Sequence, residues 1–415
     1  MCVSDKKIYH MNIRQFLIII VIVFCATTSI GDSAGKMLIA NCDYSGTRDQ
    51  SACVQKYLDL SVKNNTTIYF NNGILLISKP ILLRHNTNLI GNKTIFKPNF
   101  TKSSQCVFYG DSVSGIIIKN IEITGNGRYL PNKFISNYTN FNHLSVIGYS
   151  NLDKGICISG KSSNVSLNNL KMSGVERGIE IDNGNINSNK LIHDVLISNN
   201  VIKNVGEVGI RVINTENVKI NNNIVDRVLG NMDFSGDPKL ANVKFADGIY
   251  LSGVKNADIN FNQITDVRRI GIVLEGEEVN HKVLNKNENV KIIGNKIYNV
   301  NNCRGTENNA AIWVEPSASA EDKYSYKTGT VTIENNMINN AQNATGCVNN
   351  QYGLFLGGKY NIVKNNTIIN FKALHNYAIN CNYGKIILNN NKLNNNRSDM
   401  FINPNAYYID IQQNH

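Results

Sequence analysis

The chain has 415 residues, 42% apolar content and a formal net charge of +11. Its lysines and arginines are scattered and form no recognised nucleic-acid-binding motif with aromatic residues, so no nucleic-acid partner is expected. A basic exported chain is attracted to anionic surfaces such as acidic polysaccharide, although a composition rich in asparagine, lysine and isoleucine explains the charge equally well.

Residues 1–31 predict a secretory signal peptide. Lys6, Lys7 and Arg14 precede the apolar run 16–26, and small residues follow it. Because this run is too short for a comfortable membrane span, we expect cleavage and no stable span afterwards. The expected product is a secreted, extracellular or periplasmic protein formed by residues 32–415; an uncleaved anchor is the alternative.

An amphipathic helix is predicted next, over residues 47–63, and short strands follow it. From residue 115 onward, nine alternating apolar segments break on asparagine, and glycine-led strands such as GIYL at Gly248 lie between them. The period of two indicates strands, and no stretch carries a sustained helical stripe. The helix is expected to cap an open solenoid end.

The asparagines share one predicted register: Asn120, Asn169, Asn200, Asn223, Asn262, Asn295, Asn336, Asn366 and Asn391. Asparagine tolerates a left-handed bend and can stack with its own kind on successive coils. The repeat therefore predicts an all-β solenoid, a parallel β-helix. The consensus of a leucine-rich horseshoe and the four-stranded blade of a propeller are both missing from the sequence.

The cysteines of an exported chain are candidates for disulfides. Seven follow the predicted signal: Cys42, Cys53, Cys106, Cys157, Cys303, Cys347 and Cys381. Cys303 and Cys347 occupy matching places in consecutive repeats and are the best pair. Cys42 and Cys53 can staple the cap, Cys106 and Cys157 are interpreted as inward-facing core thiols, and Cys381 is left free.

The helix with Val54-Gln55-Lys56, the segment TIYFNNGILLISKPILLRHNTNLIGN and the coils with GIxI and NNxI resemble the pectate-lyase superfamily. These pectin-lyase-like proteins are single-stranded, right-handed parallel β-helices, and the resemblance covers about residues 41–411. It implies a polysaccharide or glycan partner, since the superfamily includes lyases, hydrolases, epimerases, tailspikes and non-catalytic binders. The chain lacks Asp-Asp, Gly-His-Gly and Asp-Pro-His-Asp motifs, which disfavours polygalacturonase-like hydrolases and mannuronan epimerases.

Aligned glycine-led strands give an outward column: Glu180, Arg211, Tyr250, Val273, Trp313 and Phe355. Aromatic surfaces stack on sugar rings, so Tyr250, Trp313 and Phe355 are predicted to bind substrate. The alternative is that loops at 229–245 or 317–328 cover them.

Two residues further along the same strands, Glu275 and Glu315 are expected at equivalent positions on adjacent coils. Such a carboxylate pair suits a calcium ion, or the two catalytic carboxylates of a retaining glycosidase. Flexible glutamates that point into water are the alternative interpretation.

Arg211, Lys244 and Arg269 are the cations nearest the aromatic column, and Asp247 lies beside them in sequence. In the superfamily that the chain resembles, an arginine or lysine often removes the C5 proton of a uronate with help from calcium. Arg211, Asp247 and Arg269 are therefore predicted to join Glu275 and Glu315 in catalysis, and Lys244 to bind substrate. Ordinary surface ion pairs are the competing explanation.

The sequence favours a secreted polysaccharide-active protein, more specifically a lyase acting on a polysaccharide that contains uronic acids. A non-catalytic glycan-binding or adhesion protein, a glycoside hydrolase of the same fold, and a structural β-helix engaged in protein contacts are the alternatives. The sequence gives no oligomeric state.

Overall fold

The computed structural model describes residues 36–101, 105–127, 129–131, 146–149, 153–183, 191–228, 231–232, 243–244, 246–276, 278–279, 282–283, 285–300, 309–315, 326–340, 351–372, 376–404, 406 and 408–412. The predicted signal peptide lies outside these residues. Within them, no helix is long and apolar enough to cross a membrane.

The described strands wind into a right-handed parallel β-helix, as the repeat and the resemblance predict. Eleven of them form the sheet that we call the front sheet: Ile81–Leu82, Cys106–Asp111, Lys154–Ser159, Arg177–Asp182, Val208–Ile213, Asp247–Ser252, Ile270–Glu275, Asn309–Val314, Gln351–Leu356, Asn376–Cys381 and Ser398–Ile402. The strands that the sequence marks with a leading glycine, between the asparagine-broken segments, all belong to this sheet.

The other parallel strands form two further columns. The second column, which follows the front sheet in each coil, contains Met37–Ile39, Thr67–Phe70, Ser163–Asn168, Ile192–Ser198, Thr215–Asn221, Lys255–Asn260, Glu288–Ile293, Thr330–Glu334, Tyr360–Lys364, Lys385–Asn389 and Tyr408–Gln412. The third contains Ser45–Asp49, Gly73–Ile77, Lys171–Ser173, Val201–Val205, Ile224–Val228, Gln263–Val267, Lys296–Tyr298, Met337–Asn339, Thr367–Ile369 and Lys392–Asn394. Asn88–Pro98 and Ser114–Thr124 run through both columns.

Three short antiparallel pairs leave the coils: Tyr129–Pro131 with Val146–Tyr149, Asn231–Met232 with Val243–Lys244, and Glu278–Val279 with Lys282–Val283. Inside the coils, alternate residues face a continuous apolar core, where Ile249 and Leu251 are fully buried. The glycine before them is required by space, because a Cβ at Gly248 would lie 2.5 Å from the carbonyl oxygen of Gly271.

A ladder of buried asparagines ties the coils together. Each side-chain oxygen accepts from the preceding member, as when Asn262 Oδ1 accepts from both the backbone N and the Nδ2 of Asn223 at 2.9 Å. Its described members are Asn200, Asn223, Asn262, Asn295, Asn336, Asn366 and Asn391. The predicted register is wrong at Asn120 and Asn169, which lie one residue earlier, at the exposed left-handed corner. Apolar Ile121 and Leu170 occupy the corresponding buried positions there.

The capping helix spans Ser51–Asn64 and thus begins four residues later than predicted. The start of the predicted segment lies instead in the strand Ser45–Asp49. Asp49 ends that strand, and its Oδ1 accepts hydrogen bonds from Ser51 N, Ser51 Oγ and Ser78 N. Burial acts to raise the pKa of Asp49, but the hydrogen bonds from Ser51 and Ser78 outweigh it and lower this pKa to about 2. The charged carboxylate therefore joins the strand to the helix.

Two disulfides are present among the described cysteines. Cys42–Cys53 staples the cap, as predicted. The interpretation of Cys106 and Cys157 as core thiols is wrong, because they form a disulfide between adjacent front-sheet strands. Cys157 faces outward, in the column of Glu180. Cys381 is free and buried, as predicted, whereas the predicted Cys303–Cys347 pair lies outside the described residues.

Candidate functional site

The front sheet places the predicted outward column in a single line. Backbone pairing joins Glu180 to Arg211, Arg211 to Tyr250, Tyr250 to Val273, Val273 to Trp313 and Trp313 to Phe355. Adjacent members are therefore one strand spacing apart, about 4.8 Å. The column changes from charged to aromatic along the axis of the β-helix.

The aromatic part of the column is packed. Tyr250 and Phe355 are only 7% and 5% exposed, and Trp313 is half-buried. The indole of Trp313 stacks on the ring of Phe355, with centroids 3.8 Å apart and planes 6° from parallel. Because stacking occupies one face of each ring, a sugar has only the remaining surface of Trp313 to contact.

Further aromatic residues, which the sequence reasoning missed, extend this surface. Tyr352 lies 5.2 Å from Phe355 and 6.2 Å from Tyr377, and Tyr377 lies 5.3 Å from Phe401, measured between ring centroids. We call Trp313, Tyr352, Phe355, Tyr377 and Phe401 the aromatic strip. These aromatic residues lie in front-sheet strands, but the aligned column contains only one outward position from each strand.

Glu275 and Glu315 occupy equivalent positions on adjacent coils, at the C-terminal ends of two front strands and two residues after Val273 and Trp313. Glu315 N donates to Leu274 O at 2.9 Å, which places Glu315 one coil beyond Glu275. The Tyr250 hydroxyl bonds the Glu275 carboxylate, and burial followed by the charge of Glu275 raises the pKa of Tyr250 well above its usual range. Tyr250 therefore stays protonated and acts as a hydrogen-bond donor.

Glu315 is held by two donors. Its Oε1 accepts from Lys327 Nζ at 2.6 Å, and its Oε2 accepts from Gly276 N at 2.9 Å. Burial raises the pKa of Glu315 and the charge of Glu275 adds to this, while Lys327 and the Gly276 amide act in the opposite direction. Two neighbouring carboxyls thus have different surroundings, the arrangement that separates an acid from a base.

The described donors fit calcium poorly. Calcium prefers six to eight oxygen ligands, whereas both Glu315 oxygens already accept hydrogen bonds and Glu275 accepts one from Tyr250. Among the residues that the structure describes, no three His, Cys, Asp or Glu side chains form a group able to hold a metal ion. Calcium binding by Glu275 and Glu315 stays a prediction, and no step below depends on it.

The predicted cationic groups are engaged by carboxylates. Arg269 binds the fully buried Asp247 through Nε and Nη2, at 2.8 and 2.6 Å. Arg211 donates to Glu180 Oε1 at 2.9 Å and also to Asp182, and its guanidinium lies 5.7 Å from the Tyr250 ring centroid. The side chain of Lys244 lies outside the described residues. Asp247 and Arg269 thus form an ion pair at the start of the strand that carries Tyr250, and Arg211 contacts the Tyr250 ring.

A charged cluster, missed in the sequence, occupies the first coils of the front sheet: Lys154, Glu176, Arg177, Glu180, Asp182, Glu207 and Arg211. Arg177 bonds both oxygens of Glu207 at 2.7 Å, and Lys154 Nζ lies 2.8 Å from Glu180 Oε2. These residues lie in different repeats, so only their stacking on successive coils brings them together.

Glu176 and Glu207 form a hydrogen-bonded carboxyl pair in this cluster. The backbone bond from Glu207 N to Glu176 O, 2.7 Å, places them at the same position on adjacent coils. Burial, then the negative charge of Glu207 and a hydrogen bond with it, raise the pKa of Glu176 to about 7, while Arg177 and Lys154 oppose the shift. Glu176 thus holds a proton at mildly acidic pH.

This pair predicts a specific loss of stability with rising pH. The folded state binds the Glu176 proton more tightly than the unfolded chain does, so this proton contributes to the free energy of unfolding. The contribution is complete below pH 4.5 and is lost as the pH rises through 7. Urea unfolding at pH 5 and at pH 8 measures this effect. Between these two pH values, the free energy of unfolding of wild type should fall by up to about 3 kcal/mol relative to that of Glu176→Gln. Glu288→Gln, an exposed second-column control, should track wild type; a pH-independent difference for Glu176→Gln would contradict this.

The described residues have the right-handed parallel β-helix fold, and part of the chain is similar to pectin-lyase-like proteins. Residues 40–235, just under half of the chain, match the family model described as rhamnogalacturonase A/epimerase, pectate lyase-like. No curated protein matches the chain.

Two solved structures illustrate the likeness of fold. The mannuronan C-5 epimerase AlgE6 A-module of Azotobacter vinelandii superposes with a TM-score of 0.55 at 14% identity, over 91% of this chain and 98% of that one. The catalytic unit of the GH87 α-1,3-glucanase of Streptomyces thermodiastaticus strain HF3-3 has a TM-score of 0.51 at 12% identity, over 94% and 70%. At these identities the likeness concerns the fold.

Proposed function

We propose that this protein cleaves a polysaccharide at the front sheet, by hydrolysis, with Glu275 and Glu315 as the reacting carboxyls. The observation that carries the proposal is their equivalent position on adjacent coils, beside Tyr250 and the aromatic strip. Two proteins of the same fold are named for polysaccharides, mannuronan and α-1,3-glucan, which supports this class of substrate.

Glu315 is the proposed general acid, because burial favours its protonated form. It gives its proton to the glycosidic oxygen as the bond from that oxygen to the anomeric carbon breaks. The Glu275 carboxylate, which accepts a hydrogen bond from the Tyr250 hydroxyl, either attacks the anomeric carbon or activates the water that does. If Glu275 attacks, a water molecule then cleaves the glycosyl ester and gives a proton back to Glu315; if Glu275 activates the water, that water gives its proton to Glu275. In both cases water supplies the hydroxyl at the anomeric carbon.

The charges of the front sheet favour a neutral polysaccharide. With Glu176 protonated and Glu315 as the proton donor, six carboxylates of the described front-sheet region face six cations: Asp153, Glu180, Asp182, Glu207, Asp247 and Glu275, against Lys154, Arg177, Arg211, Arg268, Arg269 and Lys327. These charges balance, so the described surface has no excess of positive charge to attract a polyuronate. Trp313 and its neighbours offer apolar surface to an uncharged sugar.

A lyase acting on an acidic polysaccharide is the second candidate. The chain's net charge of +11 and the position of Arg211 next to Tyr250 favour it. Its weakness lies in the proton acceptor, because Arg211 and Arg269 are each already paired with carboxylates.

Product analysis distinguishes these reactions. The mature chain is incubated with polygalacturonate, alginate and α-1,3-glucan, with and without added calcium, and reducing ends and absorbance near 235 nm are followed. Hydrolysis is expected to release reducing ends without absorbance, in a calcium-independent manner. A calcium-dependent rise at 235 nm would establish the lyase, and retention on a polymer without any product would establish a non-catalytic binder.

We further propose that the protein is exported. The two disulfides are typical of chains that fold in an oxidising compartment, where an extracellular polysaccharide would also be met.

A further inference from the structure

A second feature lies on the corner between the second and third columns, which the front sheet does not form. From Asn120 onward, one residue of each described coil turns this corner in the left-handed conformation: Asn120, Asn169, Asn199, Asn222, Phe261, Gly294, Asn335, Asn365 and Asn390. Asparagine and glycine adopt this conformation readily. Phe261 and Gly294, on adjacent coils, are the two departures from asparagine among these corners.

Phe261 is unfavourable here for two reasons. Its φ of 56° is a conformation that a side chain such as phenylalanine rarely adopts. Phe261 is also 62% exposed, a larger fraction than for any other large apolar residue that the structure describes. Neither backbone preference nor burial therefore explains an aromatic residue at this corner, and strain of this kind tends to persist where it serves a function.

The glycine on the next coil fits the ring. A Cβ at Gly294 would lie 2.6 Å from both Cδ1 and Cε1 of Phe261, so the aromatic ring occupies the space that an asparagine side chain would need. Backbone hydrogen bonds also connect this corner from coil to coil: Phe261 N donates to Ile293 O and Gly294 N donates to Glu334 O, both at 2.9 Å. The two departures thus form one rigid unit, a ring seated against backbone with much of its surface in solvent.

We propose that Phe261 is the centre of a second polysaccharide-binding site, remote from the front sheet. The exposed ring offers the apolar surface on which a sugar packs. The corner asparagines of the flanking coils, Asn222 and Asn335, are exposed and add amides that can bond hydroxyls. Gln263 and Lys296 are exposed at the start of the neighbouring third-column strands. The identity of the polymer rests on the proposed function.

The test uses Phe261→Asn, which restores the residue that other coils place at this corner. The mature chain is mixed with insoluble α-1,3-glucan and with calcium-gelled alginate and polygalacturonate beads, and the retained fraction is measured. Leu196→Asn is the matched control, since Leu196 is a 36% exposed apolar residue within a second-column strand. Circular dichroism and thermal unfolding check the fold, and Phe261→Asn should not lower the unfolding temperature.

On the polymer that wild type binds, Phe261→Asn should lower the binding affinity, as measured from the retained fraction, at least fivefold. Leu196→Asn should leave this affinity unchanged. Equal retention of Phe261→Asn and wild type would overturn the second site and leave the front-sheet proposal standing. If wild type neither binds nor cleaves any polymer, both proposals fail. A wild-type dimer in sedimentation that Phe261→Asn dissociates would overturn the glycan assignment and identify a protein contact instead.

Discussion

Replacing Glu315 with glutamine is expected to lower kcat for polysaccharide cleavage at least a hundredfold. General acid catalysis typically contributes about 10²–10⁴-fold, and an amide has no proton to give the glycosidic oxygen. The fold should persist, since the amide oxygen can still accept from Gly276 N. The measurement is the initial rate of reducing-end release on the polymer that wild type cleaves.

Glu288→Gln is the control for this substitution, because it makes the same chemical change at an exposed glutamate of the second column. It should keep the wild-type rate. A Glu315→Gln protein that is folded and retains more than about half of the wild-type rate would remove Glu315 from the chemistry. Leaving groups that need no protonation, such as activated aryl glycosides, should be much less affected by Glu315→Gln.

The second large effect concerns stability. Asn262→Ala is expected to lower the free energy of unfolding by about 3–5 kcal/mol, since about 1–3 kcal/mol is lost for each buried group left without a partner. Asn262 Nδ2 donates to Ile220 O at 2.8 Å and to Asn295 Oδ1 at 3.0 Å, and its Oδ1 accepts two bonds from Asn223. Alanine removes the side-chain partner of Asn223 N and of Ile220 O, whereas Asn295 Oδ1 keeps the bond from the backbone N of residue 262 and Asn223 Nδ2 keeps its bond to Ile197 O.

Urea unfolding of Asn262→Ala and Asn394→Ala measures this difference. Asn394 is exposed at the end of a third-column strand, and its replacement should change stability by no more than about 0.5 kcal/mol. A loss below about 1 kcal/mol for Asn262→Ala would show that the ladder contributes little beyond ordinary corner geometry.

Most of the fold followed from the periodicity of the sequence. Strand alternation decides which residues face inward, and a solenoid repeats that choice on every coil, so the outward column from Glu180 to Phe355 aligned correctly. The same reasoning placed Glu275 and Glu315 together. The register error at Asn169 arose because one coil uses an apolar residue, Leu170, where later coils use a ladder asparagine.

Other features depend on distances that the sequence does not contain. Cys106 and Cys157 are 51 residues apart in the chain, and only their stacking on neighbouring coils makes a disulfide possible. Glu176 and Glu207 precede front strands rather than lying within the aligned column, so their pairing appears only in three dimensions. The carboxylate partners of Arg211 and Arg269 are likewise a question of side-chain contacts rather than of spacing.

The most direct test of the site is the fluorescence of Trp313, the single tryptophan of the chain. Its indole is half-buried in the aromatic strip, one coil from Val273 and stacked on Phe355. Titrating the cleaved polysaccharide, or oligosaccharides derived from it, into Glu315→Gln should change the emission saturably, with a midpoint that matches the binding measured by retention. Full binding with unchanged tryptophan emission would contradict a polysaccharide site at this part of the front sheet.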